Sequence, residues 1–478
     1  MLSLTLTAWL FATAAALASS PLPPRASIFA PAVAVLERAV AARTFPGAVA
    51  LVADRAHGTL LRVAVGNYTY GAPTPRGQPG GTPVALDTVF DMASCSKVAA
   101  TTTAVARLFG DDAALLDAPV EQFLPGYAAG GKAPVTIRNC LLHDAGLPPD
   151  PTPFDFWDPR FGCAGAPLPG TQSFGCSEKI YAALLAQTLT PGATPGAAYV
   201  YSDLSFITLM YVVGTVALER GLVQPSDFLM PRCQGASEAA RPGMQKQCAF
   251  EAYVRLHVFG ALAMHDTGYL PAEATWGRCQ PTWVPDGEPG LHGHALQGRV
   301  EDGNCFNMGG VAGHAGVFST ADDLALLMRA WMKFDTGGVV GEEAKEAKEV
   351  GKAKEAGKAE SSDGVPFLTP EAIDLFVQQN NHSQSSRALG WNTNDETAQP
   401  DGGWGQSCGN LSARTFTHVG FTGTQLCGDP ANDVFTVLLT ARVFGTPDTS
   451  NSTGIHAARK AFNSEVAAAL RLPAYPGR

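Results

Sequence analysis

The sequence predicts an α+β protein in which strands and flanking helices from both chain ends build one part, split around a large and mostly helical middle. Three observations carry this. Two β-branched, apolar runs at residues 47–54 and 59–66 meet at an Ala-His-Gly turn. Strand signals then return only late, at 415–418, 424–427 and 434–441. Between them, from Ser94 to about Asn381, the sequence is helical or loop-rich.

Taken in order, residues 4–18 are apolar and small, too short for an ordinary membrane span, and Ala16-Leu17-Ala18 offers a small-x-small cleavage site. Residues 1–18 are therefore expected to be a signal peptide, and the protein to be secreted or held in the secretory lumen. The segment carries no Lys or Arg ahead of its apolar run, so a short membrane anchor is the competing reading. No later stretch is apolar and long enough to span a bilayer, so no membrane span is expected after cleavage. Residues 31–42 place Val33, Leu36 and Val40 on one helical face. The expected domain covers 27–470, with the α/β part at about 27–100 and 410–470 and the helical part at about 101–409. Residues 341–364 are rich in Lys, Glu and Ala and almost free of large apolar side chains. They cannot bury themselves and read as a solvated, flexible insertion. Residues 452–470 close the chain as a helix.

With 478 residues, 46% hydrophobic and 16% charged, the composition is that of a globular protein with a large core. A formal net charge of -10 argues against a nucleic-acid partner, which requires a basic face. Ten cysteines fit export. Cys163 with Cys176 and Cys233 with Cys248 are close in sequence within Gly/Pro/polar loops and are the preferred bridges, whereas Cys95 reads as a small packed thiol. Asn-x-Ser/Thr triplets at Asn67, Asn381, Asn410 and Asn451 suit a glycoprotein.

The densest chemical signal is Ser94-Cys95-Ser96-Lys97, which follows a short apolar run and opens a helix. Side chains three apart share a helix face, so Ser94 and Lys97 can meet. A serine hydroxyl is a weak nucleophile until a base takes its proton, and a lysine in a dry pocket loses part of its preference for charge. The motif is short enough to arise by chance, so its companions decide. Tyr201, in Tyr201-Ser202-Asp203 at the start of an apolar helix, can project a phenol toward a lysine. Core packing and a helix cap are the plain alternative there. Thr417-His418-Val419-Gly420-Phe421-Thr422-Gly423 is a Gly-rich strand end where substrate can approach the backbone and an N–H can hold an oxyanion. His143, His314, His292 and His294 lack tight ligand spacing, so hydrogen-bonded structural roles are preferred to metal binding.

Phe90-Asp91-Met92-Ala93-Ser94-x-x-Lys97, Leu141-Leu142-His143-x-x-Gly146-Leu147, Pro195-Gly196-x4-Tyr201-Ser202-Asp203 and His418-x-Gly420-Phe421-x-Gly423 occur in one order. That order resembles the serine beta-lactamase-related family, in its class C and penicillin-binding-protein-like branch that includes esterases. The likeness runs from about residue 31 to 470. It implies an antiparallel sheet covered by helices, a helical domain beside it and a cleft between. It further implies that Ser94 is the acylated nucleophile, Lys97 the general base and Tyr201 an aid to proton transfer. The N–H groups of Ser94 and Phe421 would form the oxyanion hole. The sequence itself points to no metal or organic cofactor. Two positions depart from the pattern: His418 stands where Lys is usual, and Asp203 where Asn is usual. A carboxylate beside Lys97 favours the charged amine, and loss of the Lys weakens a carboxylate clamp. Both favour ester or neutral acyl substrates over beta-lactams or D-amino-acid peptides.

Gly405-Gln406-Ser407-Cys408-Gly409 matches a nucleophile elbow, with Asp429 and His456 in suitable chain order. An elbow needs a strand before it and a helix after it, and here both flanks read as loop. The main expectation is thus a secreted serine hydrolase, foremost a carboxylesterase acting on a small ester or acyl substrate. The alternatives are D-amino-acid peptidase or amidase action, beta-lactam hydrolysis, acyl transfer, or an inactive relative that binds a ligand.

Overall fold

The computed structural model describes residues 26–163, 176–283, 295–334, 366–395, 406–444 and 452–473. The expected signal peptide, the 341–364 insertion, His292, His294 and Asn451 lie outside them. In chain order, helix α1 (Ala30–Ala41) precedes strands β1 (Gly47–Asp54), β2 (Gly58–Gly66) and β3 (Phe90–Asp91). Then come α2 (Thr103–Phe109), α3 (Ile137–Leu142), α4 (Ser177–Ala186), α5 (Asp203–Glu219) and α6 (Pro242–Val254). Strands β4 (Gly268–Tyr269), β5 (Thr282–Trp283) and β6 (Ala295–Leu296) lead to α7 (Gly303–Asn307), β7 (Val317–Ser319) and α8 (Ala321–Trp331). A helix at Pro370–Val377 precedes β8 (Asn392–Thr393), β9 (Phe416–Val419), β10 (Gln425–Asp429) and β11 (Val434–Thr440), and Ser452–Ala469 is the last helix.

The main sheet is antiparallel, with strand order β2-β1-β11-β10-β9-β8. The N-terminal hairpin and the C-terminal strands therefore meet at the β1–β11 pair, where Ala48 faces Thr440 and Asp54 faces Val434. Period-two alternation sends β1 side chains to two different cores. Ala48, Ala50 and Val52 pack with Leu36 of α1 and with Phe462 and Val466 of the last helix. Val49, Leu51 and Ala53 pack in the larger core, which continues through α8 into the helical part. Both faces are covered, which is why β1 and β11 are apolar at nearly every position.

The middle of the chain is less purely helical than its sequence suggests. It carries β4 to β7 as two- and three-residue strands, and β8 joins the edge of the main sheet. Pieces this short show no legible alternation, and each is a strand only because a partner lies beside it. Helix α5 is buried nearly all round from Leu204 to Ala217 and forms the axis of the helical part. Three disulfides are present: Cys163–Cys176, Cys233–Cys248 and Cys408–Cys427. The first two are the pairs expected from spacing, and the third ties the loop before β9 to β10. Cys95, Cys140, Cys279 and Cys305 are buried free thiols.

Trp391, fully buried, packs edge-on against Trp331 at 5.5 Å and Phe416 at 4.9 Å, joining α8, β8 and β9. Trp391→Ala is expected to cost about 3–5 kcal/mol of stability, read by denaturant unfolding, because the site cannot collapse around so large a void.

Candidate active site

Ser94 lies where β3 turns into a helix. Ala93 takes a positive φ of 45°, an uncommon backbone state for a residue with a Cβ, and this reverses the chain just before the serine. The turn is held from several sides. Asp91 Oδ1 accepts the Ala93 N–H at 2.9 Å, and Thr422 and Thr424 donate to the Asp91 and Met92 carbonyls at 2.8 and 2.9 Å. Ser96 Oγ accepts the Val317 N–H at 3.0 Å. Gly420 is required at the closest approach, since a Cβ there would lie 2.1 Å from Thr424 Oγ1 and 2.5 Å from the Met92 carbonyl.

After Ser94, residues Lys97–Thr102 form a π-helical turn leading into α2. Lys97 Nζ lies 3.0 Å from Ser94 Oγ, 3.1 Å from the His314 carbonyl and 2.7 Å from Asp203 Oδ1. Its side chain has 0% exposure. Burial works against the charge of Lys97, but the Asp203 carboxylate and Tyr201 outweigh it and hold the amine above its ordinary pKa. An ammonium has three donors, and all three are in use here. Resting Lys97 thus donates to Ser94 and offers it no lone pair.

Asp203 stands in the first turn of α5, where the helix dipole favours an anion. Ser202 does not cap the helix with its side chain. Its Oγ donates to the Pro148 carbonyl at 2.6 Å, and its N–H donates to His143 Nδ1 at 3.0 Å. His143 ends α3 in a left-handed conformation, and its ring lies 4.4 Å from that of Tyr201. The Tyr201 ring is centred 4.9 Å from Lys97 Nζ. His314 Nε2 pairs with Asp302 Oδ1 at 3.0 Å. Both histidines are hydrogen-bonded, as expected. Asp203, Asp302 and His314 bring donor atoms within 4.8 Å of one another, a grouping with no trace in sequence spacing. Lys97 already supplies positive charge 2.7 Å from Asp203, and we assign no metal there.

A cavity of about 210 Å³ opens on Ser94, Tyr201, His418, Gly420 and Phe421. On β9, His418 Nδ1 lies 2.9 Å from the Val419 carbonyl, which can only accept, so Nδ1 carries the proton. Burial, reinforced by the charges of Arg387 and Lys97, pulls its pKa well below the usual histidine value, so the ring is neutral. Phe421 stands at the mouth, 42% exposed, and among the described residues its N–H meets no acceptor. The sequence reading missed three cavity residues of positive charge: Arg387, Arg442 and Arg459. Arg459 reaches from the last helix to the Gly420 and Thr424 carbonyls at 2.7 and 2.9 Å, and Arg442 Nε donates to the Phe421 carbonyl at 2.5 Å. Burial brings Arg459 down to about 9. No motif marked these arginines, because each arrives from a different part of the chain.

Ser407 lines the same cavity. It sits within turns, with neither a strand before it nor a helix after it among the described residues. Asp429 is committed to Ser412, Ala431 and Asn432. The elbow geometry is not formed.

The sequence profile of the beta-lactamase family matches residues 32–460, and the chain belongs to that family, one of serine hydrolases. It is similar to a putative D-alanyl-D-alanine carboxypeptidase of Escherichia coli (strain K12), 25% identical over 376 residues, covering 74% of this chain and 68% of the relative. Among solved structures, it resembles a penicillin-binding protein homologue from Caulobacter crescentus, with a TM-score of 0.57 and 18% identity over 94% of this chain and 99% of that one. It also resembles EstCE1, a hydrolase with promiscuous acyltransferase activity, with a TM-score of 0.56 and 18% identity over 91% and 99%. These likenesses establish a beta-lactamase/transpeptidase-like fold.

His143 is held neutral, its pKa well below 6.5, by burial and then by the charge of Arg387. Below about pH 6.5 the unfolded chain binds a proton at this site that the folded chain refuses, so this contribution to stability is full above that pH and lost as pH falls. His143→Asn retains an acceptor for the Ser202 N–H and removes the titration. Urea unfolding between pH 5 and 7 is expected to show a shallower loss toward acid in the variant, by up to about 1.4 kcal/mol per pH unit.

Proposed function

We propose that this protein is an exported serine hydrolase that forms an acyl-enzyme on Ser94, with carboxylic esters as its first substrate class. The observation that carries the reading is the Ser94 Oγ–Lys97 Nζ contact of 3.0 Å at the floor of a cavity that Tyr201 also lines. Ser94 Oγ attacks the carbonyl carbon. The N–H groups of Ser94 and Phe421 receive the oxyanion, and water later releases the acid. Tyr201 helps move the proton between the serine and the leaving group. The neutral ring of His418 leaves this wall without the ammonium usual in relatives, which favours uncharged leaving groups. Export is supported by the apolar residues 4–18 and by three disulfides.

A second reading has its own support. Arg387, Arg442 and Arg459 bring positive charge to the same cavity, and guanidinium groups match a carboxylate well. A peptide ending in a D-amino acid would present that group, and the Escherichia coli relative is named for such a substrate.

The test combines fluorophosphonate labelling with turnover of a short p-nitrophenyl ester and of a D-alanyl-D-alanine peptide, for the unmodified protein, Ser94→Ala, Ser407→Ala and Lys97→Ala. Ser94→Ala is expected to abolish labelling and lower kcat by about a thousand-fold or more, with Ser407→Ala near the unmodified rate. Loss in Ser407→Ala alone would overturn the assignment. Faster turnover of the peptide than of the ester would replace the first substrate class by the second.

A further inference from the structure

We propose that acylation moves one proton, net, from Ser94 to Asp203 by relay through Lys97, so that this carboxylate is the terminal acceptor of the acylation step. The proposal rests on Ser94 being the nucleophile, as read above.

Three atoms lie in series: Ser94 Oγ, Lys97 Nζ at 3.0 Å, and Asp203 Oδ1 at 2.7 Å from that nitrogen. A general base needs a lone pair, and the Lys97 ammonium has spent all its N–H groups on Ser94, His314 and Asp203. Asp203 holds the amine in that charged form, so the same carboxylate must take a proton before Lys97 can act. Asp203 Oδ1 is buried, and among the described residues it meets no hydrogen-bond donor beyond the Lys97 ion pair, so Lys97 is the donor placed to protonate it. An asparagine amide, usual at this position in relatives, cannot do this.

The step balances. Lys97 gives the proton facing Asp203 to Oδ1, breaking one N–H bond and forming one O–H bond. The neutral amine rotates about Cε–Nζ and turns its lone pair to Ser94. The Ser94 O–H bond breaks as an N–H bond forms, and Oγ bonds to the carbonyl carbon while the π pair moves to oxygen. An ion pair and two neutral groups have become an ammonium, a neutral Asp203 and an oxyanion, with no change in total charge. When the intermediate collapses, the leaving oxygen takes a proton from Lys97, and Asp203 refills it.

Asp203 stands among other ionisable groups. Asp302 and His314 lie within 4.8 Å of Asp203. Asp150 has its pKa raised to about 6 by burial and by the charges of Asp203 and Asp155, so these carboxylates feel one another. The place of Asp203 in the first turn of α5 puts it at the positive end of the helix dipole, which draws the proton back off the carboxylate at the end of the step.

The test is Asp203→Asn, with kcat and KM for a p-nitrophenyl ester measured against pH, and thermal melting as a check on folding. The relay requires kcat to fall by about 10²-fold or more with KM nearly unchanged, and the acidic limb of the kcat profile to move. Asp203→Glu, which keeps a carboxylate, should recover part of the rate. An unchanged or higher kcat in Asp203→Asn overturns the proposal, because Asp203 would then merely restrain Lys97 from acting as the base. A second measurement needs no variant. The kcat of the unmodified protein in H2O–D2O mixtures should follow a bowed curve, for two protons in flight, and a straight line would also overturn the relay. Ser94→Ala, run alongside, separates failure of this proposal from failure of the nucleophile assignment: retained labelling in that variant would remove the reading on which the relay stands.

Discussion

Lys97 and Asp203 form an ion pair on which the site depends. Lys97 has 0% side-chain exposure and lies 2.7 Å from a carboxylate contributed from more than a hundred positions further along the chain. Removing one member of such a buried pair typically costs about 3–5 kcal/mol, because the other charge is left uncompensated. The pair therefore fixes the N-terminal end of α5 against the π-turn after Ser94. It also sets the charge of the group that touches Ser94. Structure and reactivity are tied to the same two side chains.

The second constraint is the sharp turn at Ala93. Its positive φ is maintained because the neighbours leave it no alternative. Thr422 and Thr424 hold the turn from the β9–β10 connection, Ser96 holds it to β7, and Asp91 closes it from within. Arg459 holds the 420–424 segment in turn through the Gly420 and Thr424 carbonyls. The last helix, far from Ser94 in sequence, thus supports the wall that faces it.

Charge in the cavity is unevenly placed. The strand wall carries a neutral His418, while arginines stand around it. The family resemblance alone, read at position 418, suggests a weakened anion site; the fold adds positive charge from residues outside every motif. In a fold that hosts several activities, substrate range is set by the walls of the site rather than by the fold.

Much of this was legible in the chain. Apolar runs at 47–54 and 434–441 marked the two central strands, because a strand buried on both faces needs apolar side chains throughout. The spacing from Ser94 to Lys97 announced their contact, because one helical turn links them. Cys163–Cys176 and Cys233–Cys248 are close enough to pair on spacing, whereas Cys408 and Cys427 flank β9 and are brought together only by the tertiary structure. The strands β4 to β8 were hidden, being too short to show a period and defined by their partners. By itself the sequence determined the Ser94–Lys97 segment and the two central strands, which rest on local periodicity, and the order of motifs that carries the family resemblance. Only the tertiary structure decided that Asp203 lies within 2.7 Å of a fully buried Lys97, that Asp203, His314 and Asp302 meet, and that three arginines reach the cavity. Those facts depend on long-range packing, which sets burial and the distance between charges.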